Sequence, residues 1–86
     1  MSELENLPNI GQTVAAQLEA AGIHTVDELR RIGSREAWLR IQAIDPSACI
    51  HRLNALEGAV QGCKKSLLDP AVKAELKAFY QAHRLK

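Results

Sequence analysis

The segment formed by residues 7–23 constrains the fold of this chain more than any other. It opens with Leu-Pro-Asn-Ile-Gly at positions 7–11, which is typical of a tight turn because proline, asparagine and glycine favour turn geometry. From Ile10 onward, apolar side chains recur on one helical face, at Ile10, Val14, Leu18 and Ala21. Gly22 then stands where a left-handed residue ends a helix. These signals predict a turn that leads into a first helix over residues 11–21.

Capping signals predict two further helices directly after this segment. Thr25 and Glu28 have the spacing of a capping box, in which the side chains at the start of a helix bind its free amides. We expect helix 2 to begin there and to end at Gly33. Ser34 is suited to cap helix 3, which we place over residues 35–43.

Two Asp-Pro pairs predict the remaining helices. Aspartate is a good cap, and proline is well tolerated in the first helical position, where its missing amide hydrogen costs nothing. The pair at 45–46 predicts helix 4 over residues 46–63, and the pair at 69–70 opens helix 5. Strand-like alternation is absent from the sequence. We therefore predict an all-α domain of five helices joined by short loops.

Predicted helix 4 carries an apolar seam with two glycines beside it. The seam has the spacing 4-3-4-3 and consists of Cys49, Leu53, Leu56, Val60 and Cys63. A glycine within a helix costs about 1 kcal/mol relative to alanine, so Gly58 and Gly62 predict close packing against another helix. Two interpretations stay open: the seam belongs to the core of the monomer, or part of it is a homodimer contact.

Length and composition limit the classes of protein to which the chain can belong. Its 86 residues are enough for one domain, here residues 1–86, and 47% of them are hydrophobic but only 3% aromatic. A core of small aliphatic side chains leaves little room for a buried cofactor, and we expect none. No apolar run approaches the roughly 20 residues that span a bilayer. Two cysteines without a secretory signal indicate a cytoplasmic protein.

The turn and the two helices after it have the form of a helix–hairpin–helix element. Such elements bind nucleic-acid backbone through amides at a helix N-terminus, usually with a nearby lysine or arginine. Gly11 and the amides after it can supply the first ingredient, while Asn9 replaces a common glycine and Ile10 lies between them. The first 28 residues contain five acids and no lysine or arginine. The alternative interpretation is that this hairpin only packs helices together.

Four arginines form the better candidate for a contact surface. They flank the predicted Gly33-Ser34 turn and are Arg30, Arg31, Arg35 and Arg40. The arginine side chain binds carboxylate and phosphate equally well through its fork of donors. These residues form either a solvated face paired with neighbouring acids such as Glu36, or a contact for an acidic partner or for DNA backbone.

Residues suited to metal binding or catalysis do not cluster in the sequence. Cys49 and Cys63 lie fourteen residues apart on one predicted helix, which separates them by about 21 Å, too far to share a metal. The three histidines follow no metal-ligand spacing with these cysteines. No pair of carboxylates suggests acid–base chemistry, and no serine has a nearby His–Asp arrangement. We predict a protein without metal, cofactor or enzymatic activity.

Several segments taken in order resemble one known family. They are the Leu-Pro-Asn-Ile-Gly turn at 7–11, Ala-Gly-Ile-His-Thr-Val-Asp-Glu-Leu at 21–29, Ala-Trp-Leu-Arg at 37–40, and Leu-Asn-Ala-Leu-Glu-Gly-Ala-Val-Gln-Gly at 53–62. This order resembles the C-terminal domain of the TfoX (Sxy) regulators of bacterial DNA-uptake competence. The last segment is the most specific, whereas the turn is shared with many helix–hairpin–helix domains.

The resemblance implies a helical fold related to helix–hairpin–helix (SAM-like) domains. It also implies a role in regulating competence genes through the transcription machinery. The second domain that precedes this one in full-length regulators is missing from the sequence, so we expect a stand-alone member or a truncated form. We predict a regulatory binding module that contacts a protein partner. The alternative is a module that binds DNA backbone directly.

Overall fold

The computed structural model describes residues 3–84, and all the regular structure in that range is helical. Four α-helices follow one another as α1 (Gln12–Ala20), α2 (Val26–Ile44), α3 (Ile50–Gln61) and α4 (Pro70–His83). Two short 3-10 helices, Glu3–Asn6 and Lys65–Leu67, precede α1 and α4. The all-α fold class is thereby confirmed. Over the described residues, no helix is long and apolar enough to cross a membrane.

Four α-helices are counted within residues 3–84 where five were expected, because predicted helices 2 and 3 are the two parts of α2, and the break expected between them lies at Gly33. Gly33 interrupts α2 with φ 83° and ψ 167°, and helical geometry resumes at once on its far side. Ser34 is buried, and its hydroxyl donates a hydrogen bond to Glu57 of α3 at 2.5 Å. The side chain expected to cap a separate helix therefore ties α2 to α3.

The predicted start of helix 4 at Pro46 is wrong. The Asp45 carboxylate accepts hydrogen bonds from the amide and hydroxyl of Ser47, and the amide of Ala48 donates to the Asp45 carbonyl at 3.0 Å. These bonds close a turn that reverses the chain, so α3 begins only at Ile50. Asp-Pro signals a turn as readily as a helix start, because proline fixes the same φ in both. Cys49 and Cys63 consequently lie outside α3, one before it and one after it.

Asp45 also joins three helices. It lies at the C-terminal cap of α2 and accepts hydrogen bonds from Gln17 of α1 at 2.9 Å and from Arg52 of α3 at 2.8 Å. The hydrogen bond from the Ser47 hydroxyl is the largest cause that holds the pKa of the Asp45 carboxyl far below its usual value, and the bonds from Arg52 and Gln17 add to it. The carboxylate is thus a charged link between helices at the edge of the core.

The glycine-terminated helix ends follow the sequence prediction. Gly22 has φ 88°, and the amide of Ile23 donates to the carbonyl of Leu18 at 2.8 Å. Both apolar side chains are buried, which completes the hydrophobic contact typical of this motif. Gly62 ends α3 in the same way with φ 78°, and a Cβ there would meet open space. Gly62 therefore serves as a helix terminator, not in the close helix packing that we expected.

The core lies between α2 and α3, with α1 and α4 packed around them. Leu53 and Leu56 are fully buried, so this part of the apolar seam of α3 belongs to the monomer. Trp38 of α2 is also fully buried, and the rings of Phe79 and Tyr80 from α4 meet it edge-on, with centroids 6.1 and 5.6 Å away. A single tryptophan thus fills the space that small aliphatic side chains leave beneath α4.

Candidate functional site

The four arginines singled out from the sequence all lie on α2, two on each side of the break at Gly33. We call this surface the arginine face; it consists of Arg30, Arg31, Arg35 and Arg40, and all four are exposed. Arg30 and Arg31 form no ion pair with any acid among residues 3–84. Their charges are available to a partner.

Arg40 has one of the acidic neighbours expected from the sequence. Its Nε atom lies 3.1 Å from a carboxylate oxygen of Glu36, one helical turn away. The two side chains are 43% and 49% exposed, and such exposed pairs contribute little to stability. The terminal nitrogens of Arg40 have no partner in the described part of the chain. This ion pair therefore leaves Arg40 free to bind a second anion.

Glu28 is committed to the start of α2. It accepts hydrogen bonds from the amide of His24 and from the hydroxyl of Thr25, both at 3.2 Å, while its own amide donates to the Thr25 hydroxyl. The bond from the His24 amide is the main cause that lowers the pKa of Glu28. The predicted capping signal is confirmed, and it explains why the Glu28 carboxylate forms no ion pair with the arginines within residues 3–84.

Arg35 lies against α4. Its guanidinium carbon is 6.0 Å from the centre of the Phe79 ring, and the ring of His83 stacks on Phe79 at 4.1 Å. A cation over an aromatic ring is attracted to its π electrons. Arg35 thus links α2 to α4 and differs in its environment from the other three arginines.

Arg31 and Arg40 converge on one small pocket. Its volume is about 150 Å³, and it is lined by Gly22, Ile23, Glu28, Arg31, Ile32 and Arg40. The pocket lies between the end of α1 and both halves of α2. We call it the arginine pocket. Two arginines and two isoleucines are among the residues that line it.

The residues of the predicted hairpin have different roles. Asn9 adopts the left-handed conformation with φ 69°, and its side chain donates to the carbonyl of Cys63 at 3.0 Å and accepts from the amide of Lys65 at 3.0 Å. Ile10 is buried in the core. Gly11 is exposed at the start of α1, and no side chain caps that helix end. Of these three residues, Gly11 is exposed, Asn9 is half-buried and Ile10 is closed to a ligand.

Gly58 makes room for Asn9. A Cβ at Gly58 would lie 2.4 Å from Nδ2 of Asn9 and 2.7 Å from the carbonyl oxygen of Cys63. The groups that approach Gly58 are thus the Asn9 side chain, the Cys63 carbonyl and, at 3.2 Å from the same Cβ position, the backbone amide of Lys65 at the start of the second 3-10 helix.

The structure brings two lysines to the hairpin that the sequence places more than fifty residues away. The Lys65 amide is bonded to Asn9, and Lys64 lines the same concave surface as the turn. We call this surface the hairpin groove; it measures about 880 Å³ and is lined by Asn6, Leu7, Pro8, Asn9, Gly62, Cys63, Lys64, Ser66 and Leu67. The fold thus places Lys64 and Lys65 beside a turn whose own sequence contains no basic residue. Nothing in the sequence pattern signals this contact, because it depends on the fold.

The helix–hairpin–helix element itself stays a prediction. The helix before the turn is a 3-10 helix of only four residues, Glu3–Asn6, followed by the turn and α1. Within residues 3–84, no group of three or more histidine, cysteine, aspartate or glutamate side chains is placed to hold a metal ion.

The chain is similar to a known protein family and to a curated protein of Escherichia coli. A family model described as the TfoX C-terminal domain matches residues 1–80. Protein Sxy of Escherichia coli (strain K12) is 34% identical over 73 residues, which are 85% of this chain and 35% of that protein. The chain therefore spans about a third of the length of this curated relative.

Two crystal structures from Listeria monocytogenes share the fold. One is of an uncharacterized protein, with a TM-score of 0.91 and 52% identity over 92% of this chain and 90% of the other. The second is of a protein of unknown function, with a TM-score of 0.91 and 51% identity over 93% and 98% of the two chains. Because residues 1–80 of its 86 residues match the family model, the chain belongs to the TfoX C-terminal domain family.

Proposed function

We propose that this chain is a non-catalytic regulatory module of the cytoplasm that acts through contacts with a protein partner in the control of competence or transcription. The arginine face carries the proposal. Arg30 and Arg31 are exposed and free of ion pairs within residues 3–84, while nearby Glu28 is occupied by the helix cap. Membership of the TfoX C-terminal domain family supports the regulatory role.

Affinity capture from an extract of the protein's own cells tests the proposal. The wild type is compared with the variant Arg30→Ala, Arg31→Ala, Arg35→Ala and with a matched variant that loses the same charge elsewhere. Lys73, Lys77 and Arg84, which lie outside the arginine face and the hairpin groove, provide that control. We expect a partner that the wild type and the control retain and the arginine variant loses. If the wild type captures no specific partner, the proposal is wrong.

The alternative is a module that binds DNA backbone directly, and the hairpin groove favours it. The uncapped start of α1 at Gly11 offers amides to phosphate, and Lys64 and Lys65 lie beside the same turn. Duplex binding measured by fluorescence anisotropy at several salt concentrations tests this function. DNA binding through lysines falls steeply with salt and weakens in a Lys64→Ala, Lys65→Ala variant. Absence of binding at low salt excludes it.

A homodimer is a further proposal. Because Leu53 and Leu56 are buried in the monomer, only the half-buried ends of the seam, Cys49 at one end and Val60 and Cys63 at the other, are accessible to a second copy. Sedimentation of the wild type and of Val60→Glu tests it. A dimer that dissociates in the variant supports the proposal, and a monomeric wild type excludes it.

A further inference from the structure

The break in α2 has a consequence for the arginine pocket. Arg31 and Arg40 are nine residues apart, so on an uninterrupted α-helix they would be separated by about 13.5 Å along the axis and by half a turn around it. They would face opposite sides. Gly33 lies between them with a backbone conformation that no continuous helix contains, and both arginines line one pocket. The break therefore allows Arg31 and Arg40 to line the same pocket.

We infer that the arginine pocket binds the carboxylate of an acidic side chain presented by the protein partner, with Arg31 and Arg40 as its two cationic walls. The inference rests on the proposed function and names the chemistry of the partner. Arginine binds carboxylate through paired, charge-assisted hydrogen bonds. Arg31 has no internal ion pair within residues 3–84, and Arg40 uses only Nε toward Glu36.

The size and lining of the pocket favour one side chain. Its volume of about 150 Å³ is well below the roughly 300 Å³ at which small-molecule sites begin. Half-buried Ile32 provides apolar surface for the aliphatic part of a glutamate or for an adjacent leucine. A carboxylate between apolar groups satisfies both parts of the lining.

The surrounding charge disfavours nucleic acid at this pocket. Glu28 is part of the lining, and Glu36 is paired with Arg40. Counted with these two glutamates, the two arginines leave no net positive charge, so the pocket offers Arg31 and the free nitrogens of Arg40 as directed donors, which suit one carboxylate better than a run of backbone phosphates. DNA backbone requires a continuous basic track, and the first 28 residues contain no lysine or arginine.

Titration of the ¹⁵N-labelled protein tests the inference by NMR. The probe is a blocked tripeptide with glutamate between two leucines, and the matched peptide carries glutamine in place of glutamate. We expect the glutamate peptide to shift the amide signals of Gly22, Ile23, Ile32 and Gly33, and the glutamine peptide to leave them unchanged. Either Arg31→Gln or Arg40→Gln should weaken binding about tenfold, the effect of losing one charged hydrogen-bonded contact.

Lys77→Gln is the control, because Lys77 is exposed on α4 and lies outside both the pocket and the arginine face. It should bind the glutamate peptide as the wild type does. Equal binding by wild type, Arg31→Gln and Arg40→Gln would overturn the inference, as would tighter binding of inorganic phosphate than of the glutamate peptide. If the captured partner is retained by Arg31→Gln and Arg40→Gln, the pocket assignment fails while the proposed function stands. If no partner is captured yet the glutamate peptide binds as expected, the proposed function fails while the assignment of the pocket as a carboxylate site stands.

Discussion

Asn9 shows how one side chain can fix the relation between two distant parts of the chain. Its amide group bonds the carbonyl of Cys63 and the amide of Lys65, and it approaches the carbonyl of Ala55 at 3.5 Å. It also adopts a left-handed backbone conformation, which asparagine tolerates better than most residues. The turn before α1 is thereby attached to the end of α3.

We expect Asn9→Ala to lower the free energy of unfolding by about 2–3 kcal/mol, through lost hydrogen bonds and left-handed strain. Asn9→Gly removes the same bonds without the strain and should cost about 1–2 kcal/mol. Urea denaturation of both variants measures the two effects separately, with exposed Asn6→Ala as the control. Wild-type stability in both variants would mean that the Asn9 bonds contribute nothing.

The effect of a substitution at Gly58 on stability depends on Asn9, which the new side chain would contact. Alanine is a better helix former than glycine by about 1 kcal/mol, yet we expect Gly58→Ala to destabilise the protein by about 1–2 kcal/mol, because the new Cβ meets Asn9 and the Cys63 carbonyl. Combining it with Asn9→Gly removes one of these contacts. A double-mutant cycle by urea denaturation should give a coupling of about 1 kcal/mol. Strict additivity of the two effects would contradict the contact.

At the scale of the helices, α2 depends on the break at Gly33. Its φ of 83° and ψ of 167° belong to a region that is essentially restricted to glycine. We expect Gly33→Ala to cost about 1–3 kcal/mol and to weaken binding of the glutamate peptide, because a straightened α2 separates Arg31 from Arg40. Denaturation and the NMR titration measure the two effects.

Gly11→Ala is the matched control for Gly33→Ala. Gly11 has φ −94°, and a Cβ there would meet nothing within 4 Å. It should leave peptide binding as in the wild type and cost about 1 kcal/mol or less in stability, because alanine caps a helix less well than glycine. If Gly33→Ala behaves like Gly11→Ala, the break is not needed to form the pocket.

The helix ends show what local sequence can and cannot predict. Thr25 and Gly22 were placed correctly because capping and left-handed termination act within one helical turn. Pro46 was misassigned because a turn and a helix start require the same proline geometry, and only the reversal from α2 to α3 distinguishes them. Whether Gly33 separates two helices or interrupts one is likewise decided by packing, here by the bond from Ser34 to Glu57.

At the scale of the whole molecule, charge in sequence differs from charge in space. The acidic character of the first 28 residues argued against a basic hairpin, yet the fold brings Lys64 and Lys65 to it. The candidate arginines could be identified from the sequence because all of them lie in one short stretch. The pocket that unites Arg31 and Arg40 could not, since the relative orientation of the two helical parts joined at Gly33 depends on the fold.

Asp45 makes the stability of the whole molecule dependent on pH. Its pKa is lowered in the folded protein by the Ser47 hydroxyl, Arg52, the Ser47 amide and Gln17, in that order. A carboxyl with a depressed folded-state pKa stabilises the protein above its unfolded-state pKa of about 3.9. That contribution is lost as the pH falls below this value and through the folded-state pKa.

We therefore expect Asp45→Asn to be less stable than the wild type at neutral pH, because asparagine lacks the charge that Arg52 pairs with at 2.8 Å. The difference between their urea midpoints should be constant from about pH 7 to 5 and shrink as the pH falls below about 4. Asp27→Asn, at an exposed position in the first turn of α2, is the control and should show a smaller difference at neutral pH. An Asp45→Asn difference that persists unchanged to pH 2.5 would mean that the shape of the side chain, and not its charge, holds α1, α2 and α3 together.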